Sequence, residues 1–342
     1  MDTLVLGRED LRRILDIVGA DEIMDRVIDC LRRRLADLGR GDCVNSPART
    51  GFTLMGDQPG VVENMPHYAH GDSLTIKTIA YSPHNGRKFN LPTVLGAVTR
   101  FEEESGMLTA IADATLITAI RTGAASSIAS SLLANRDSTT FGIVGAGAQS
   151  VTQLHALSRV FDIREVLVFD TKSTMAESLP SRTPFLDANF VMTDPAEIVR
   201  RADVICTATS VRPQDGPVIP DVPHRPHLHI NAVGADEVGK IEIPLSLLQR
   251  AFVCVDHLEQ ALAQGESQKL GRHEIGVTLD VLSANPHYAD HCHDQLTVFD
   301  STGFAFEDHH AFDVFLELAQ ELGLGEKLPI MLCPVDVCNP YS

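Results

Sequence analysis

A glycine-containing turn between a β-rich run and a helical pattern constrains the fold of this chain more than any other feature. Gly145-Ala146-Gly147 follow the run 139–144, and a helical pattern comes next over 151–160. Gly145 permits a tight turn, and Gly147 lets the backbone approach a pyrophosphate at the helix N-terminus. The pattern is typical of the first βα unit of a dinucleotide-binding sheet.

An acid at the end of the next apolar run strengthens this interpretation. Asp170 follows the run 165–169 and lies 23 residues beyond Gly147, where dinucleotide folds place a carboxylate for the ribose hydroxyls. Ser150 replaces the third glycine of the usual motif, so helix and strand must accommodate a small side chain there. An ordinary βα turn is the alternative, but it does not require the acid. We therefore predict binding of a nicotinamide dinucleotide.

Size and charge limit the possible functions. A chain of 342 residues exceeds a usual single core and predicts two domains. The formal net charge of −18 disfavours nucleic acid and anionic membranes as partners, whereas a cationic amine is attracted. The seven cysteines show no paired spacing, and the N-terminus lacks the layout of a signal peptide. We expect a cytoplasmic protein with reduced thiols.

The pattern along the chain predicts an α/β fold. Apolar strands that alternate with helices indicate a parallel sheet covered on both faces. The predicted elements are a helical region over 8–38, strands over 60–65, 73–81, 92–101 and 107–112, a helix over 114–135, further strands over 203–210, 228–234, 252–256 and 296–300, and a last helix over 305–322 that can return to the first domain.

The helix predicted over 114–135 is long enough to cross a bilayer. It consists largely of Ala, Ser, Thr and Gly, however, and Arg121 in its first half would be costly in lipid. We interpret it as a buried helix that presents one arginine to a pocket.

Isolated cations are the first candidates for a binding site. Arg121 requires a partner, either a substrate carboxylate or a structural acid such as Asp113 or Glu63. Lys77 is a single cation in an apolar strand, where a lysine is usually a solvated edge residue. Two such cations in nearby segments indicate a shared anion site. Arg49, in a proline-containing loop, would ordinarily be placed at the surface.

Asp236 is the strongest candidate acid. It follows the run 231–235 at the carboxyl edge of a parallel strand, where doubly wound folds bind their ligands. A carboxylate there can exchange protons with a substrate amine, and an N-cap or turn residue is the alternative. Glu63, in a predicted inward-facing strand, can hold an ammonium group or pair with one of the cations.

Two histidine clusters, at 224–229 and 287–293, invite a metal hypothesis. The cluster at 287–293 lies among Pro, Asn and Asp and has no second ligand pair at the spacing of a structural zinc site. We interpret them as solvated loop histidines and predict no bound metal.

The motifs together resemble the ornithine cyclodeaminase/mu-crystallin family, in order and spacing, from about residue 6 to residue 322. The segments 77–83 and Pro66-His67 are most similar to the lysine cyclodeaminase branch. The segments that carry the resemblance are Lys77, Leu91-Pro92-Thr93-Val94, Ala119-Ile120-Arg121-Thr122, Gly145-Ala146-Gly147-Ala148-Gln149, Asn231-Ala232-Val233-Gly234-Ala235-Asp236 and Val298-Phe299-Asp300-Ser301-Thr302-Gly303.

The resemblance implies a Rossmann doubly wound sheet (126–305) inserted in a smaller α+β domain for substrate binding and dimerisation (1–125 plus 306–342). It implies catalytic roles for Asp236, Glu63 and Lys77. The implied substrate-binding residues are Arg49, Glu63, Met65, Lys77, Arg121 and Asp236. The implied cofactor-binding residues are Thr93, Thr122, Gly145, Gly147, Ala148, Gln149, Asp170, Thr207, Ser210, Val233, Gly234, Lys240 and Ser301.

The family resemblance also implies an activity. We expect a homodimeric cyclodeaminase that uses NAD to convert a basic L-amino acid, lysine ahead of ornithine, into a cyclic imino acid and ammonia. The alternatives are an NAD(P)-dependent amino-acid dehydrogenase or ketimine reductase, and a non-catalytic crystallin-like protein that retains the cofactor. Asp170 favours NAD over NADP because it repels a 2′-phosphate, although Lys172 two residues on weakens that preference.

Overall fold

The computed structural model describes residues 2–55 and 60–342. Among these residues the strands are β1 (Thr3–Leu6), β2 (Thr50–Thr53), β3 (Val61–Ala69), β4 (Ser73–Tyr81), β5 (Val94–Glu102), β6 (Leu108–Asp113), β7 (Thr140–Val144), β8 (Glu165–Phe169), β9 (Asn189–Met192), β10 (Val204–Thr207), β11 (His229–Ala232), β12 (Phe252–Val255), β13 (Val277–Thr278), β14 (Thr297–Asp300) and β15 (Glu326–Leu328).

The α-helices of the same part of the chain are α1 (Arg8–Val18), α2 (Ala20–Arg40), α3 (Asn85–Lys88), α4 (Thr115–Leu133), α5 (Ala148–Ser158), α6 (Ser173–Arg182), α7 (Pro195–Arg201), α8 (Leu245–Leu248), α9 (Leu258–Gln264), α10 (Leu279–Ala284) and α11 (Ala305–Leu322).

The first sheet is mixed and has the strand order β15-β1-β6-β5-β4-β3-β2. Strands β2 to β6 form an antiparallel meander, β1 pairs parallel to β6, and β15 pairs antiparallel to β1. Residues of β4 alternate between buried and exposed from Ser73 to Thr78, so Lys77 points toward the interior. The last helix α11 packs on this sheet and on α2, as the sequence predicts.

The second sheet is entirely parallel, with the strand order β13-β12-β14-β11-β10-β7-β8-β9. Strand order reverses between β7 and β10, which is the switch point at which doubly wound sheets bind ligands. The α/β fold with a Rossmann-type sheet is thereby confirmed. The division at residues 125/126 and 305/306 stays a prediction.

Helix α4 bridges the two sheets. It is long and apolar enough to cross a membrane by composition alone, but 78% of the apolar window is buried inside the protein. Its serines and small residues pack on α5, α2 and α11. The structure confirms that this helix is buried, as the sequence indicates.

Several boundaries differ from the sequence-based prediction. The helical region over 8–38 is two helices, because Gly19 lies between them with φ +89°. The strand predicted over 203–210 ends at Thr207, and the one over 228–234 ends at Ala232. The short strands β1 and β15 carry too few residues to show a period in the sequence.

Candidate active site

A cavity of about 870 Å³ lies between the two sheets, at the carboxyl ends of the parallel strands. Residues at the ends of β7, β8, β10 and β11 line one side, and residues of β3, β4 and α4 line the other. Nearly all the site residues implied by the family resemblance line this cavity, although they come from distant parts of the chain. They are Arg49, Glu63, Met65, Lys77, Thr93, Arg121, Thr122, Gly145, Gly147, Ala148, Gln149, Asp170, Ser210, Val233, Gly234, Asp236, Lys240 and Ser301.

Thr207 is the exception and its predicted placement is corrected. It ends β10 and is completely buried, and its hydroxyl lies beside the Glu242 carboxyl group rather than on the cavity wall. The chain reaches the cavity one residue later, at Ala208.

The two glycines of the turn meet different surroundings. Gly145 has φ +94°, and a Cβ atom on it would lie 2.7 Å from the carbonyl oxygen of Ala208. A Cβ on Gly147, which precedes α5, would have no heavy atom within 4 Å. Gly145 is therefore required by the turn itself, whereas Gly147 leaves open space at the N-terminus of α5, where an anionic group can bind.

Asp170 and Arg182 hold the glycine turn. One Asp170 oxygen accepts from the backbone of Ala146 at 2.8 Å, and the other accepts from Lys172 N at 2.8 Å. Arg182 donates to the Ala146 carbonyl at 2.7 Å, a contact that the sequence did not indicate. Ser150 is fully buried and donates to the Gly147 carbonyl at 2.6 Å, so a small side chain is accommodated there as predicted.

Lys77 is only 1% exposed and is not an edge residue. Its Nζ lies 2.6 Å from Oδ2 of Asp308, at the start of α11. Burial lowers the pKa of Lys77 to about 8, although the Asp308 carboxylate opposes that shift.

Arg121 also pairs with the first turn of α11. Its Nε donates to Asp308 at 2.9 Å, and NH1 donates to Glu307 at 2.9 Å. The structural partners proposed from sequence, Asp113 and Glu63, are therefore wrong. Asp113 instead accepts from the backbone of Thr115 at the start of α4.

The side chain of Arg49 is buried, contrary to its expected surface position. Its NH1 donates to Glu63 at 3.0 Å, and NH2 donates to the carbonyls of Thr302 and Gly303. The side chain is 6% exposed. Its loop therefore closes over the cavity and is held by the segment that follows β14.

These side chains form a buried ion-pair network at the cavity wall. Burial raises the pKa of Glu307 to about 8, so this side chain is largely neutral at pH 7. Arg49, Lys77 and Arg121 contact two other carboxylates, Glu63 and Asp308, and the Asp256 carboxylate acts on Arg121 through space. A carboxylate that binds here would join this network of cations.

Asp236 faces the cavity from the loop after β11. Its side chain is 48% exposed, and Oδ1 lies 2.9 Å from Nζ of Lys240. Desolvation raises its pKa, but the charges of Lys240 and Arg49 and the hydrogen bond from Lys240 together outweigh that effect, and the net result is a pKa below the ordinary value. Asp236 is therefore an accessible carboxylate that can accept a proton.

Three buried residues that the sequence analysis missed shape the loops around the cavity. Glu242 accepts from Thr209 N at 2.7 Å and from Gly234 N at 2.9 Å, which joins the loops after β10 and β11. Asp256 accepts from the Thr302 hydroxyl at 2.9 Å, and the same hydroxyl accepts from Gln260 at 3.0 Å. Buried carboxylates and amides beside predicted strand ends are the signal that would have found them.

The histidines singled out from sequence are separate from this cavity. His287 is exposed and pairs with Asp290, and His227 pairs with Asp203 at 2.9 Å. His229 corrects the expectation of a solvated loop, because it is completely buried in β11 and its Nδ1 lies 2.7 Å from the Thr297 hydroxyl.

Fold and site together define a class: a Rossmann-type protein whose glycine turn shares one cavity with three cations, Arg49, Lys77 and Arg121. A model of the ornithine cyclodeaminase/mu-crystallin family matches residues 9–322. The chain belongs to the ornithine cyclodeaminase/mu-crystallin family.

Individual relatives are similar over the whole chain. L-lysine cyclodeaminase of Streptomyces rapamycinicus is 51% identical over 342 residues, which is 100% of both chains. A solved lysine cyclodeaminase structure, described for its recognition of L-lysine, L-ornithine and L-2,4-diaminobutyric acid, has a TM-score of 0.98 at 51% identity and covers 100% of this chain and 99% of the other. An archaeal alanine dehydrogenase dimer with bound NAD has a TM-score of 0.85 at 30% identity, with coverage of 97% and 100%.

Proposed function

We propose that this protein is a cyclodeaminase that converts a basic L-amino acid into a cyclic imino acid and ammonia with catalytic NAD. L-Lysine, giving L-pipecolate, is favoured over L-ornithine, giving L-proline. The observation that carries the proposal is the placement of Lys77 and Arg121 on the wall of the cavity that Gly145 and Asp236 also line. The similarity to lysine cyclodeaminase supports the choice of lysine.

The cavity residues fit a dinucleotide. The open space at Gly147 and the N-terminus of α5 suits the pyrophosphate, and Asp170 lies at the end of β8 for a ribose hydroxyl. When bound, NAD would accept the hydride from the substrate Cα and later return it. The similarity to a dehydrogenase with bound NAD supports this choice of cofactor.

The chain's own residues bind and orient the substrate. Arg49, Lys77 and Arg121 hold the α-carboxylate in the cavity that the dinucleotide-binding residues also line. Removal of a hydride from Cα and of a proton from the α-nitrogen converts the Cα–N bond into an imine. The neutral terminal amine then attacks Cα, and loss of ammonia leaves a cyclic imine, which the returned hydride and a proton would reduce. Since both groups belong to one bound molecule, attack benefits from a high effective concentration. Ammonia carries away the α-nitrogen.

Asp236 accepts and returns protons during these steps. Its carboxylate is ionised and accessible to the cavity, and Lys240 holds it in place at 2.9 Å. Glu63, paired with Arg49, lies on the same wall and orients the terminal ammonium group.

Isotope labelling tests the reaction directly. Enzyme with substoichiometric NAD⁺ and L-lysine labelled with ¹⁵N at the α-position should release ¹⁵N-ammonia and unlabelled L-pipecolate. Deuterium placed at Cα should remain at C2 of the product, because the same cofactor returns the hydride without leaving. Accumulation of NADH in proportion to the amino acid would contradict the proposal and support an amino-acid dehydrogenase.

That dehydrogenase or ketimine reductase activity is the second candidate. The 33% identity over 334 residues with the alanine dehydrogenase of Archaeoglobus fulgidus, which covers 96% of this chain and 98% of the relative, favours it. A crystallin-like protein without turnover is disfavoured by the complete set of cations and by Asp236.

Substitution of Gly145 tests the dinucleotide site. Gly145→Ala should raise the Kd for NADH by about tenfold or more, because a Cβ is strained at φ +94° and meets Ala208. Gly106→Ala provides a matched control, since Gly106 also has positive φ but lies in a hairpin with open space. NADH titration by fluorescence measures both. Equal affinity in the two variants would contradict the placement of the cofactor.

We also propose a homodimer formed through the outer face of the meander. This face carries Tyr68, Leu74 and Ile76, which are apolar and more than one-third exposed. Such a patch on a sheet is typical of an interface. The similar alanine dehydrogenase is a dimer, which supports this assembly. The two-domain division, 1–125 plus 306–342 and 126–305, fits a separate dimerisation unit.

Ile76→Asp should weaken the dimer by about 30-fold or more, since it places a charge at the centre of that face. Light scattering across a dilution series measures the shift from dimer to monomer. Met192→Asp is the control, because Met192 is similarly exposed but lies on the edge strand β9 of the other sheet. A parental mass for Ile76→Asp at every dilution would overturn the proposed interface.

A cytoplasmic location is part of the proposal. The seven cysteines are free thiols in the structure, and Cys206, Cys254 and Cys292 are buried. Unpaired thiols are typical of a reducing compartment.

A further inference from the structure

Three buried histidines converge on the side of α11 that faces the first sheet. His67 belongs to β3, and His309 and His310 follow Asp308 on α11. One ligand nitrogen from each ring lies within 4.8 Å of the other two. This histidine cluster, His67, His309 and His310, is 5% exposed or less at each residue. It was not among the clusters that the sequence drew attention to.

Each ring of the histidine cluster is oriented by an oxygen at its Nδ1 atom. His67 Nδ1 lies 3.0 Å from the Ser46 hydroxyl, and His309 Nδ1 lies 2.7 Å from the Thr75 hydroxyl. His310 Nδ1 lies 3.0 Å from Oδ2 of Asp313. Metal-binding imidazoles characteristically donate one ring N–H to such an oxygen, which fixes the ring and leaves the other nitrogen to bind the ion.

The surroundings of the histidine cluster suit a divalent cation. Asp313 places a carboxylate beside two of the rings, with Oδ2 3.0 Å from Nδ1 of His310 and 3.7 Å from Nε2 of His309. Arg100 donates to Asp313 at 2.7 Å, to the His309 carbonyl at 3.2 Å and to the Thr75 hydroxyl at 2.8 Å, so its charge is balanced by that carboxylate. Imidazole nitrogens are preferred ligands of zinc and its neighbours.

We propose that His67, His309 and His310 bind a divalent transition-metal ion of the zinc type, with Asp313, Thr75 and Ser46 as the groups that orient the three rings. Three imidazoles leave a fourth position open for water. The ion would join β3 to the first turns of α11. Because Asp308 immediately precedes His309 and pairs with Lys77 and Arg121, the site would also fix the carboxylate-binding set of cations.

Metal content and affinity test this site. The full-length protein is stripped with a chelator, and Zn²⁺ binding is measured by competition with a chromophoric chelator. Co²⁺ then serves as a spectroscopic probe of nitrogen ligands in a low-coordinate site. The variants are His309→Gln, which removes a ligand, and Thr75→Val, which keeps side-chain size but removes the hydroxyl that contacts His309 and Arg100. His287→Gln is the control, because His287 is an exposed histidine outside the histidine cluster.

We expect one tight Zn²⁺ site per chain, a Co²⁺ visible spectrum, and a higher midpoint of thermal unfolding when Zn²⁺ is bound. His309→Gln should abolish the spectrum, and Thr75→Val should lower Zn²⁺ affinity by about 10- to 100-fold. His287→Gln should leave both unchanged. Zn²⁺ affinity in Thr75→Val and His309→Gln equal to that of the parent, or loss only with His287→Gln, would overturn the proposal. If His309→Gln does not fold, Thr75→Val and the parental Co²⁺ spectrum decide the question.

Discussion

Replacement of Asp236 by Asn is expected to lower kcat by a factor of about 10² to 10⁴, the usual contribution of a general acid–base group. The amide keeps the shape of the side chain but cannot accept the proton. The fold should persist, because the Asp236 side chain is half exposed and its charged partner Lys240 also lies 5.5 Å from the Tyr81 ring. Steady-state release of ammonia from L-lysine measures the effect.

A second aspartate on the rim of the same cavity provides the control. Asp215 lines the cavity and is exposed, but it has no role in the proposed reaction. Asp215→Asn should therefore retain parental kcat. NADH affinity should be parental in both variants, which separates lost chemistry from lost binding. Parental turnover by Asp236→Asn would refute the acid–base assignment.

The sequence predicted the positions of the charged groups better than their partners. Lys77 and Arg121 stood out because each is a lone cation in an apolar segment, and lone buried cations require compensation. The Asp308 carboxylate pairs with both cations, and Glu307 accepts a further hydrogen bond from Arg121; the two acids lie 187 and 186 residues beyond Arg121. Nothing local in the sequence indicates that contact. It depends on how α11 returns to the first sheet, which is a property of the tertiary fold.

The burial of the Arg49 side chain is a second feature that the sequence does not predict. A loop with proline and polar residues is usually at the surface. Here the loop closes on Glu63 and on the Thr302 and Gly303 carbonyls, so a residue with ordinary loop surroundings becomes part of the cavity wall. Gly303 in turn lies directly against the Arg121 guanidinium. Sequence spacing alone does not encode this closure.

The elements that depend on local chemistry were predictable. The turn at Gly145, the acid at Asp170 and the helix after Gly147 follow from backbone conformation and anion binding at a helix N-terminus. Strand ends are less certain in sequence, and Thr207 shows the consequence. A difference of one residue at the end of β10 moves a side chain from the cavity wall to the buried side of the loop.

Replacement of Lys77 by Met is expected to raise KM for the amino acid by about 30-fold or more, the effect of removing one member of a buried charge pair. The value of kcat should change less, since in the proposed binding mode Lys77 holds the substrate carboxylate rather than the reacting atoms. The variant should fold because Asp308 keeps its contact with Arg121 at 2.9 Å and methionine has a similar volume. Initial rates over a range of lysine concentrations separate KM from kcat.

The pH dependence of KM gives the more specific test. The pKa of Lys77 is about 8, below that of an ordinary lysine because of burial, so the ammonium is present below pH 8 and is lost as pH rises above it. Affinity for the substrate carboxylate should therefore fall above pH 8 in the parent. The substrate amines also titrate at alkaline pH, and Lys77→Met retains that contribution. The difference between the two profiles isolates Lys77.

Lys172→Met, on the dinucleotide side of the cavity, should follow the parental profile. If Lys77→Met shows the same rise in KM above pH 8 as the parent, Lys77 is not the group that binds the carboxylate.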